Sequence, residues 1–356
     1  MDEKTIRQKR KEEHIELALQ QNYLPYADFD DLFLIHRSLP ETGIEDIKLQ
    51  TKIGPLSLPY PIFINAMTGG SEKSGEINGA LAEACMETGI AMAVGSQHAG
   101  IRNEALAHTY KIVRKKNPKG IVFANVGGDV PIDYALKAID MLEADALQVH
   151  VNVPQELVMP EGERDFTNIL LRLEKMAAKL DVPVIVKETG FGMCTDTLLQ
   201  LSDAGIQYVD IGGRGGTNFV HIENERRSKR DFAYLKEWGQ SAAVSLLEAQ
   251  PVLGKLTIIA SGGIRNPLDA VKCFSLGAAA AGIAGPFLKI LHNEGVVGLI
   301  DELEEWKEHL KTLLVLQGAK SIASLHSCPI VATGRVKEWS EARGHDWQGL
   351  ARRRPK

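Results

Sequence analysis

The stretch ALQVHVNVPQE, residues 146–156, begins as an apolar strand and ends in a cluster of polar side chains. Its first part is apolar and carries β-branched valines, which suit a buried, pleated strand. The polar side chains at its end are His150, Asn152, Gln155 and Glu156. Polar groups crowded at the end of a buried strand indicate chemistry rather than packing.

Seven other short apolar runs lie between residues 61 and 284, and longer amphipathic stretches separate them. The eight predicted strands are PIFINA (61–66), IAMAVG (90–95), IVFANV (121–126), ALQVHV (146–151), VPVIVK (182–187), YVDIGG (208–213), LTIIAS (256–261) and AAAAGIA (278–284). Helices are predicted within residues 79–88, 166–180, 196–204, 233–249 and 267–276. Repeated β-α units of this number favour an α/β fold of the (β/α)8 TIM-barrel type, because a doubly wound open sheet usually has fewer strands and a glycine fingerprint after its first one.

The chain of 356 residues is predicted to be a single domain, with the barrel at residues 61–294. Residues 1–60 are expected to form a charged helix and an irregular N-terminal extension. Residues 295–356 are expected to form C-terminal helices and a basic tail, and helices within 286–325 should close the barrel. The tail from residue 335 is expected to lie on the surface or to fray.

One connection, residues 213–234, is long and rich in glycine and charged residues. It follows the sixth predicted strand. Long loops in compact domains are typically lids or disordered segments. We therefore expect this segment to be a lid that excludes water from the barrel mouth.

Charge and composition argue against several classes of function. The 41 basic and 46 acidic residues give a net charge of −5, which offers no overall attraction to nucleic acid. The four cysteines are scattered without a C-x-x-C pair, so neither a disulfide framework nor a zinc site is predicted. No signal peptide or membrane span is recognisable, and we expect a cytoplasmic protein with no membrane partner. The tail sequence RRRPK is read as solvated rather than as an RNA contact.

In such a barrel the loops after the seventh and eighth strands form the usual phosphate site. Here those loops read SGGIR and AGPF, and their glycines can expose backbone N–H groups to a phosphate. Arg265 in the first loop is a further candidate phosphate ligand. The alternative is that Gly262 and Gly263 only make a tight turn.

Lys187 ends a β-branched run, where its ammonium must find a polar partner or lose solvation. Three interpretations remain open: a Schiff-base lysine, an electrostatic partner for an electron-rich cofactor, or a structural lysine that reaches solvent. Thr68, Ser96 and Asn125 lie at other strand ends. These neutral donors and acceptors suit hydrogen bonds to a flat heterocycle.

Glu156 is a hard oxygen ligand suited to Mg²⁺, which is commonly held by one protein carboxylate and the substrate's phosphate oxygens. His150, Asn152 and Gln155 can hydrogen-bond substrate oxygens, although each alone is also typical of a satisfied strand cap.

The charged residues near the N-terminus are a separate case. By composition alone, Arg10, Lys11 and His14 form a solvated helix face.

Taken together, the motifs resemble the type 2 isopentenyl diphosphate isomerases, a family of FMN-dependent (β/α)8-barrel enzymes. The resemblance spans nearly the whole chain and depends on the order of short motifs. These are RKEEHI (10–15), NAMTGG (65–70), VGSQ (94–97), HVNVPQE (150–156), VKETGFG (186–192), GRGGTNF (213–219), SGGIR (261–265) and AGPFL (284–288).

The resemblance implies a set of site residues. The FMN phosphate would contact Gly262, Gly263, Arg265, Ala284 and Gly285. The ring would contact Ala66, Met67, Thr68, Ser96, Asn125, Lys187 and Thr217. The substrate would contact Arg10, Lys11, His14, His98, His150, Asn152 and Gln155, with Mg²⁺ on Glu156. The family also implies a homotetramer or homo-octamer.

Two positions depart from the family pattern. Gly212 stands where many members have serine, so one hydroxyl contact to FMN would be missing. His98 stands where many have arginine, so its contribution to diphosphate binding would depend on pH.

The implied reaction converts isopentenyl diphosphate to dimethylallyl diphosphate with no net redox change. A proton must be added at one carbon and removed two carbons away, and no His or Glu is obviously placed for both tasks. This gap supports reduced FMN as the acid–base group, with Lys187 stabilising its anionic ring and Gln155 orienting the alkene or assisting proton transfer. NADPH would then be needed to reduce the flavin without being consumed in proportion to product.

Two rivals come from other classes of protein. An FMN barrel with net redox chemistry, such as a 2-hydroxy acid oxidase or a dihydroorotate dehydrogenase relative, would need a base and an arginine for a carboxylate. The other rival is a non-catalytic regulatory barrel that binds a phosphorylated metabolite or RNA, and the cluster of Gln155, Glu156 and Lys187 argues against it.

Overall fold

Eight parallel strands form a closed barrel at the centre of the molecule. The computed structural model describes residues 16, 17, 19 and 27–354. Three short strands come first: β1 (Leu32–Leu34), β2 (Thr51–Ile53) and β3 (Leu56–Leu58). The barrel strands are β4 (Ile62–Ile64), β5 (Ala91–Ala93), β6 (Val122–Gly127), β7 (Ala146–Val151), β8 (Val184–Glu188), β9 (Tyr208–Asp210), β10 (Thr257–Ser261) and β11 (Ala280–Ile283), and β12 (Ile330–Ala332) follows them. All eight predicted strands are confirmed, and none extends more than one residue beyond its predicted run.

The barrel strands have a period-two pattern because successive side chains point to opposite faces. The inward-facing set includes Phe63 and Phe123, whose ring centroids lie 5.3 Å apart, and Ile185 and Ile259. Small alanines such as Ala93 complete this layer. Large and small side chains thus fill the interior, so the barrel is a packed core with its chemistry confined to the strand ends.

Helices surround the barrel and cover the outward faces of its strands. They are α1 (Glu72–Thr88), α2 (His98–Arg102), α3 (His108–Lys116), α4 (Ile132–Leu142), α5 (Val153–Val158), α6 (Ile169–Lys179), α7 (Thr195–Asp203), α8 (Phe219–Glu225), α9 (Ala242–Glu248), α10 (Pro267–Ser275), α11 (Gly285–Gln317), α12 (Ile322–Leu325), α13 (Gly334–Arg343) and α14 (Trp347–Ala351).

Four of the five predicted helical segments are helical, as parts of α1, α6, α7 and α10, although α1 begins at Glu72, seven residues before the predicted segment 79–88. The fifth, residues 233–249, is only partly correct, because α9 starts at Ala242 and a single 3-10 turn, Ala233–Leu235, precedes it. Gly239 lies between them with φ of +95°, a left-handed conformation that interrupts a right-handed helix. The connection that follows β9 therefore extends past Gly239 to the start of α9.

The segment before the barrel is more ordered than the expected irregular extension. β2 and β3 pair as an antiparallel hairpin, and Ile53 and Leu58 are fully buried with the inward-facing side chains of the barrel. Thr51 donates a hydrogen bond from Oγ1 to the Ala279 carbonyl at 2.8 Å. The hairpin therefore closes the amino-terminal end of the barrel and leaves the opposite end for the site.

A strand that precedes the barrel in sequence pairs with one that follows it. β1 pairs antiparallel with β12, with Leu32 opposite Ala332. The helices expected within 286–325 are present as α11 and α12, and α11 consists of two helical segments that meet at a kink at Gly295, whose φ of 74° and ψ of −167° are not helical. In the described part of the tail, α13 and α14 are helical, and Val336 and Leu350 are buried.

None of the helices in the described part of the chain is long and apolar enough to cross a membrane.

Candidate active site

The polar end of β7 leads directly into α5. Asn152 is the N-cap of α5, which places Gln155 and Glu156 in the first turn. The Asn152 side-chain amide donates to Gln155 Oε1 at 3.3 Å and to Glu156 Oε1 at 2.9 Å. The short strand-to-helix turn thus brings these three predicted site residues into one hydrogen-bonded cluster.

The connection after β9 folds over this cluster. Gln155 donates from Nε2 to Oε1 of Glu223 at 3.0 Å, and Glu223 is fully buried in α8. Arg226 forms an ion pair with Glu223, and its other terminal nitrogen lies 2.9 Å from Glu161 Oε1. Arg227 donates to the Val158 carbonyl at 3.1 Å. The segment predicted as a lid is therefore packed on the turn that carries Gln155.

A chain of buried side-chain hydrogen bonds crosses the carboxyl ends of β4, β6, β7 and β9. It connects, in order, His150, Asn125, Gln148, Asn65 and Asp210. The distances are 2.9 Å from His150 Nδ1 to Asn125 Oδ1 and 3.2 Å from Asn125 Nδ2 to Gln148 Oε1. They are 3.0 Å from Gln148 Nε2 to Asn65 Oδ1 and 3.0 Å from Asn65 Nδ2 to Asp210 Oδ2. We call Asn125, Gln148 and Asn65 the amide relay.

Lys187 lies at the Asp210 end of this chain. Its Nζ is 3.0 Å from Asp210 Oδ2 and 3.4 Å from Ser261 Oγ, and only 8% of the residue is exposed. A buried ammonium needs a charge partner and hydrogen-bond acceptors, and Asp210 and Ser261 supply them. The lysine therefore does not reach bulk solvent, so the structural alternative of a snorkelling side chain is wrong.

Two glycine loops pack against each other beyond β9 and β10. Gly262 and Gly263 have φ of +92° and +74°, and a Cβ on Gly262 would lie 2.1 Å from the Gly213 carbonyl oxygen. A Cβ on Gly263 would lie 3.1 Å from the Gly215 backbone. Only glycines allow this close approach of two backbones. The connection 213–234 also carries Thr217. This residue precedes Asn218, which is the N-cap of α8.

The beginning of α11 lies beside this loop, because β10 and β11 are neighbours in the barrel. Ala284 is its N-cap, and the first bond within the helix runs from the Leu288 N–H to the Ala284 carbonyl at 3.0 Å. The N–H groups of Gly285 and Phe287 therefore have no partner within the helix, and Pro286 has none to offer. Such a helix start attracts negative charge.

Arg265 is already engaged by two carboxylates. It lies 2.6 Å from Asp30 Oδ1 and 2.8 Å from Asp269 Oδ2, which ties the loop after β10 to the chain that precedes β1. The Arg265 guanidinium holds the pKa of Asp30 down to about 2, so this carboxyl is ionised at neutral pH. The guanidinium thus acts here as a clamp between segments rather than as a group directed only to a phosphate.

The remaining predicted ring contacts lie at the ends of β4 and β5. Ala66, Met67 and Thr68 follow β4, and the Gly95 N–H donates to the Thr68 carbonyl at 3.0 Å. Tyr110 donates from its hydroxyl to the Ser96 carbonyl at 2.7 Å. The first bond joins the ends of β4 and β5, and the second joins the end of β5 to α3.

The structure places His98 at the start of α2, where its ring centroid lies 5.9 Å from that of Tyr134. The predicted substrate ligands Arg10, Lys11 and His14 lie outside the described residues.

Glu188 follows Lys187 and is buried, with Oε2 accepting from the backbone N–H groups of Gly190, Phe191 and Gly192 at 2.7 to 2.8 Å. Burial raises the pKa of this carboxyl to about 7, although the three N–H donors lower it. A Cβ on Gly212 would lie 2.4 Å from the same Oε2. The glycine that departs from the family pattern thus leaves room for this carboxyl.

Sequence reasoning missed several groups that the fold brings to the site: Asn65, Gln148, Glu188, Asp210 and Glu223. Asp210 and Gln148 each interrupt an apolar strand, which is the same signal that drew attention to Lys187. Glu223 lies in a charged run that reads as a solvated face, and only its complete burial distinguishes it. No metal-binding group of three or more His, Cys, Asp or Glu side chains occurs among the described residues.

Comparison with known proteins gives the family. An isopentenyl-diphosphate delta-isomerase of Staphylococcus epidermidis is 48% identical over 338 residues, which cover 95% of this chain and 97% of that one. Those of Staphylococcus saprophyticus and Staphylococcus aureus are 47% identical, each over 95% or more of both chains. The chain belongs to the isopentenyl-diphosphate delta-isomerase family. A family model described as FMN-dependent dehydrogenase matches residues 162–331, which identifies the FMN-dependent, type 2 branch.

Solved structures agree with the barrel fold. A mutant flavocytochrome b2 with benzoylformate superposes with a TM-score of 0.65 at 20% identity, covering 87% of this chain and 77% of that one. A mandelate oxidase with (S)-2-phenylpropionate gives a TM-score of 0.63 at 18% identity and covers 90% of both chains. At this identity the likeness shows the fold alone. The resemblance, the barrel and the isomerase class predicted from the sequence are therefore confirmed.

Proposed function

We propose that this isomerase interconverts isopentenyl diphosphate and dimethylallyl diphosphate at the carboxyl ends of the barrel strands, with FMN as its cofactor. The observation that carries the proposal is that three features share this end of the barrel: Lys187, the hydrogen-bonded cluster of Asn152, Gln155 and Glu156, and the two glycine loops. The chain that carries them is 48% identical to a curated isomerase. The proposed chemistry uses a buried lysine, a side-chain amide fixed by hydrogen bonds, and glycine loops that can bind a phosphate. We call these glycine loops the phosphate cradle.

The glycine loops fit the phosphate of FMN. Gly262 and Gly263 would present backbone N–H groups, and Ala284 and Gly285 the start of α11. Because Arg265 is held by Asp30 and Asp269, its main contribution would be to fix the shape of this loop. Ala66, Met67, Thr68, Ser96, Asn125 and Thr217 would line the ring.

Reduced FMN supplies a ring nitrogen that can donate and accept a proton. Lys187 would stabilise negative charge on that ring, because its ammonium is buried and fixed by hydrogen bonds and so needs no reorganisation. Gln155 would orient the alkene. Its Nε2 donates to Glu223 and its Oε1 accepts from Asn152, so the two neighbours fix both ends of the amide.

Glu156 would hold Mg²⁺ with the diphosphate of the substrate. One protein carboxylate completed by phosphate oxygens and water is an ordinary Mg²⁺ site, and it needs no cluster of acidic side chains. The Glu156 oxygens are already oriented by Asn152 and by the backbone N–H of Glu163 at 2.9 Å. Arg10, Lys11, His14, His98, His150 and Asn152 would contact the diphosphate or position the substrate.

The remaining parts of the proposal concern the reductant, the location and assembly of the protein, and the lid. NADPH would serve as the reductant that activates the flavin, without being consumed in proportion to product. The protein would work in the cytoplasm as a homotetramer or homo-octamer. The segment 213–234, packed through Glu223 and Arg227 on the Gln155 turn, would act as the lid.

The rival function is a net oxidation of a 2-hydroxy acid, as the names of the flavocytochrome and mandelate oxidase neighbours suggest for those proteins. The two functions differ in the number of electrons that leave the substrate. An oxidase consumes one equivalent of electron acceptor for each substrate, whereas an isomerase consumes none.

The deciding experiment is anaerobic incubation of the purified protein with isopentenyl diphosphate, FMN, Mg²⁺ and a catalytic amount of NADPH in deuterated water, followed by NMR. Deuterated dimethylallyl diphosphate without matching loss of NADPH is expected. Gln155→Leu should bind FMN with unchanged affinity and lose at least about 100-fold in kcat. Absence of isomer despite bound, reducible FMN would refute the proposal and favour the oxidase.

A further inference from the structure

Asp210 and Glu223 are the two carboxylates described at the site that are fully buried, and Asp210 is the one that lies beside Lys187. It is fully buried at the end of β9, and its two oxygens accept four hydrogen bonds. Oδ2 accepts from Lys187 Nζ and Asn65 Nδ2, each at 3.0 Å. Oδ1 accepts from Ser261 Oγ at 2.5 Å and from the Gly212 N–H at 3.2 Å. One ammonium and three neutral donors offset the cost of burying an ionised carboxylate.

An ionised carboxylate can only accept hydrogen bonds, and this restriction orders the whole amide relay. Asn65 must turn its NH₂ toward Asp210, so its oxygen faces the other way and accepts from Gln148 and from the Ala66 N–H at 2.8 Å. The Gln148 oxygen must then accept from Asn125. Each amide in the relay is thus oriented by the one before it.

The order ends at His150. The Asn125 side-chain oxygen, left facing the histidine, can only accept a hydrogen bond, so the proton of the neutral ring lies on Nδ1. Nε2 is then the acceptor nitrogen. The register pairs His150 on β7 with Lys187 on β8, so both residues lie at the same height of the barrel.

We propose that Asp210 is the positioning residue of this site: its carboxylate fixes the Lys187 ammonium directly and the His150 ring through the amide relay. The proposal rests on the proposed roles of Lys187 beside the flavin and of His150 beside the substrate. It assigns Asp210 two separable effects. One is the charge balance at Lys187, and the other is the tautomer of His150.

The charge effect has a definite sign. Asp210→Asn removes one negative charge beside Lys187, so the site should bind reduced, anionic FMN more tightly relative to oxidised FMN. A shift of at least tenfold in that ratio is expected, equal to about +30 mV in the two-electron reduction potential of bound FMN. Lys187→Met should shift the potential in the opposite direction. The double variant, which replaces a neutral ion pair by two neutral side chains, should return toward the wild-type potential.

The relay effect is read by ¹⁵N NMR of His150 in the FMN-loaded oxidised protein, at a pH where the ring is neutral. The resonance is assigned by its loss in His150→Gln. Wild type should show the Nδ1–H tautomer alone. Asp210→Asn should give a mixture of tautomers, because an asparagine can donate as well as accept. Gln148→Met should also give a mixture, since it cuts the relay, but it should change the affinity ratio less than threefold.

Ser261→Ala is the matched control, because it removes one donor to Asp210 and leaves the charge and the relay in place. It should keep the single tautomer. A single Nδ1–H tautomer in both Asp210→Asn and Gln148→Met would overturn the relay, and an unchanged potential in Asp210→Asn would overturn the charge effect. If Asp210→Asn does not fold, Gln148→Met and Lys187→Met still test the two effects separately. Wild-type protein with the predicted tautomer and no isomerase turnover would refute the proposed function and leave the positioning role intact.

Discussion

Gly262 and Gly254 have almost the same φ, +92° and +90°, and very different surroundings. A Cβ on Gly262 would meet the Gly213 carbonyl oxygen at 2.1 Å, whereas nothing lies within 4 Å of a Cβ on Gly254. Both positions favour glycine for its left-handed φ. Only Gly262 is also required by the close approach of two backbones at the proposed phosphate cradle.

Substituting these two glycines separates the effect of backbone strain from the loss of phosphate binding by the glycine loops. Gly262→Ala should reduce FMN affinity at least tenfold, because the loop after β10 must move away from Gly213. Gly254→Ala should cost about 1 kcal/mol of stability from its φ alone and keep wild-type FMN affinity. Fluorescence titration with FMN measures both. Equal affinities in the two variants would show that the glycine loops do not hold the cofactor.

Glu188 is the residue whose protonation should couple most clearly to folding. Its pKa is raised in the folded protein, from an ordinary 4.5 to about 7, chiefly by burial. Between these values the folded state binds the extra proton, so the stabilising contribution of Glu188 is present below about pH 4.5 and is lost as pH rises through 7.

Glu188→Gln should remove this dependence. Between pH 5 and pH 8 the free energy of unfolding of wild type should fall relative to that of the variant by a few kcal/mol, on the order of 1.4 kcal/mol for each unit of pKa shift. Urea unfolding at the two pH values measures the difference. Parallel pH dependence of the two proteins would mean that the N–H groups of residues 190–192 keep the carboxyl ionised throughout.

At the scale of elements, one buried carboxylate links the C-terminal helix α13 to α9 and α7, which lie against the barrel. Glu248, at the end of α9, accepts from Trp339 Nε1 and Arg343 Nε on α13, each at 2.9 Å. It also accepts from the Thr195 N–H at the start of α7, at 3.0 Å. Burial alone would raise the pKa of Glu248. These donors, of which the Arg343 guanidinium has the largest effect, keep the pKa well below its usual range.

Glu248→Gln should lower the free energy of unfolding by about 2 kcal/mol, because it weakens the hydrogen bonds that this buried side chain accepts from Thr195, Trp339 and Arg343. Glu341→Gln is the control, since Glu341 is exposed and lies 3.7 Å from Lys337, and its effect should stay below about 0.5 kcal/mol. Urea unfolding followed by far-UV circular dichroism measures both. Similar midpoints for the two variants would contradict a docking role for Glu248.

The elements were predicted unevenly, for a physical reason. Barrel strands are short, buried and locally periodic, so each apolar run could be identified alone. The hairpin of β2 and β3 was missed because its apolar residues, such as Ile53 and Leu58, are few and are buried only by contact with the barrel. The helical tail was underestimated because its anchor, Glu248, is far away in sequence.

At the scale of the whole molecule, several large apolar side chains of the single chain are exposed. Leu39 is 80% exposed, Val297 70%, Trp238 60% and Phe33 54%. Burial of such residues between subunits is one source of the hydrophobic contribution to assembly. The homotetramer or homo-octamer proposed from the family would bury surface of this kind.

Sedimentation velocity at micromolar protein, with and without FMN, tests that assembly. We expect a single species of four or eight chains of 39.0 kDa each. A monomer under both conditions would contradict the proposed oligomer without affecting the site, since Lys187, Gln155 and the glycine loops all belong to one chain.

The sequence by itself determined the eight strands, the barrel, the family and the strand ends at which polar groups collect, because these follow from local periodicity and from ordered motifs. It could not determine which polar groups meet. Asn65 contacts Asp210 across 145 positions and Gln148 across 83, and these contacts exist only once the barrel has closed. The tertiary structure alone decided that Lys187 is paired, that Glu223 is buried against Gln155, and that Arg265 is held by carboxylates. Hydrogen bonds and ion pairs depend on distance and burial, and a linear pattern specifies neither for residues so far apart.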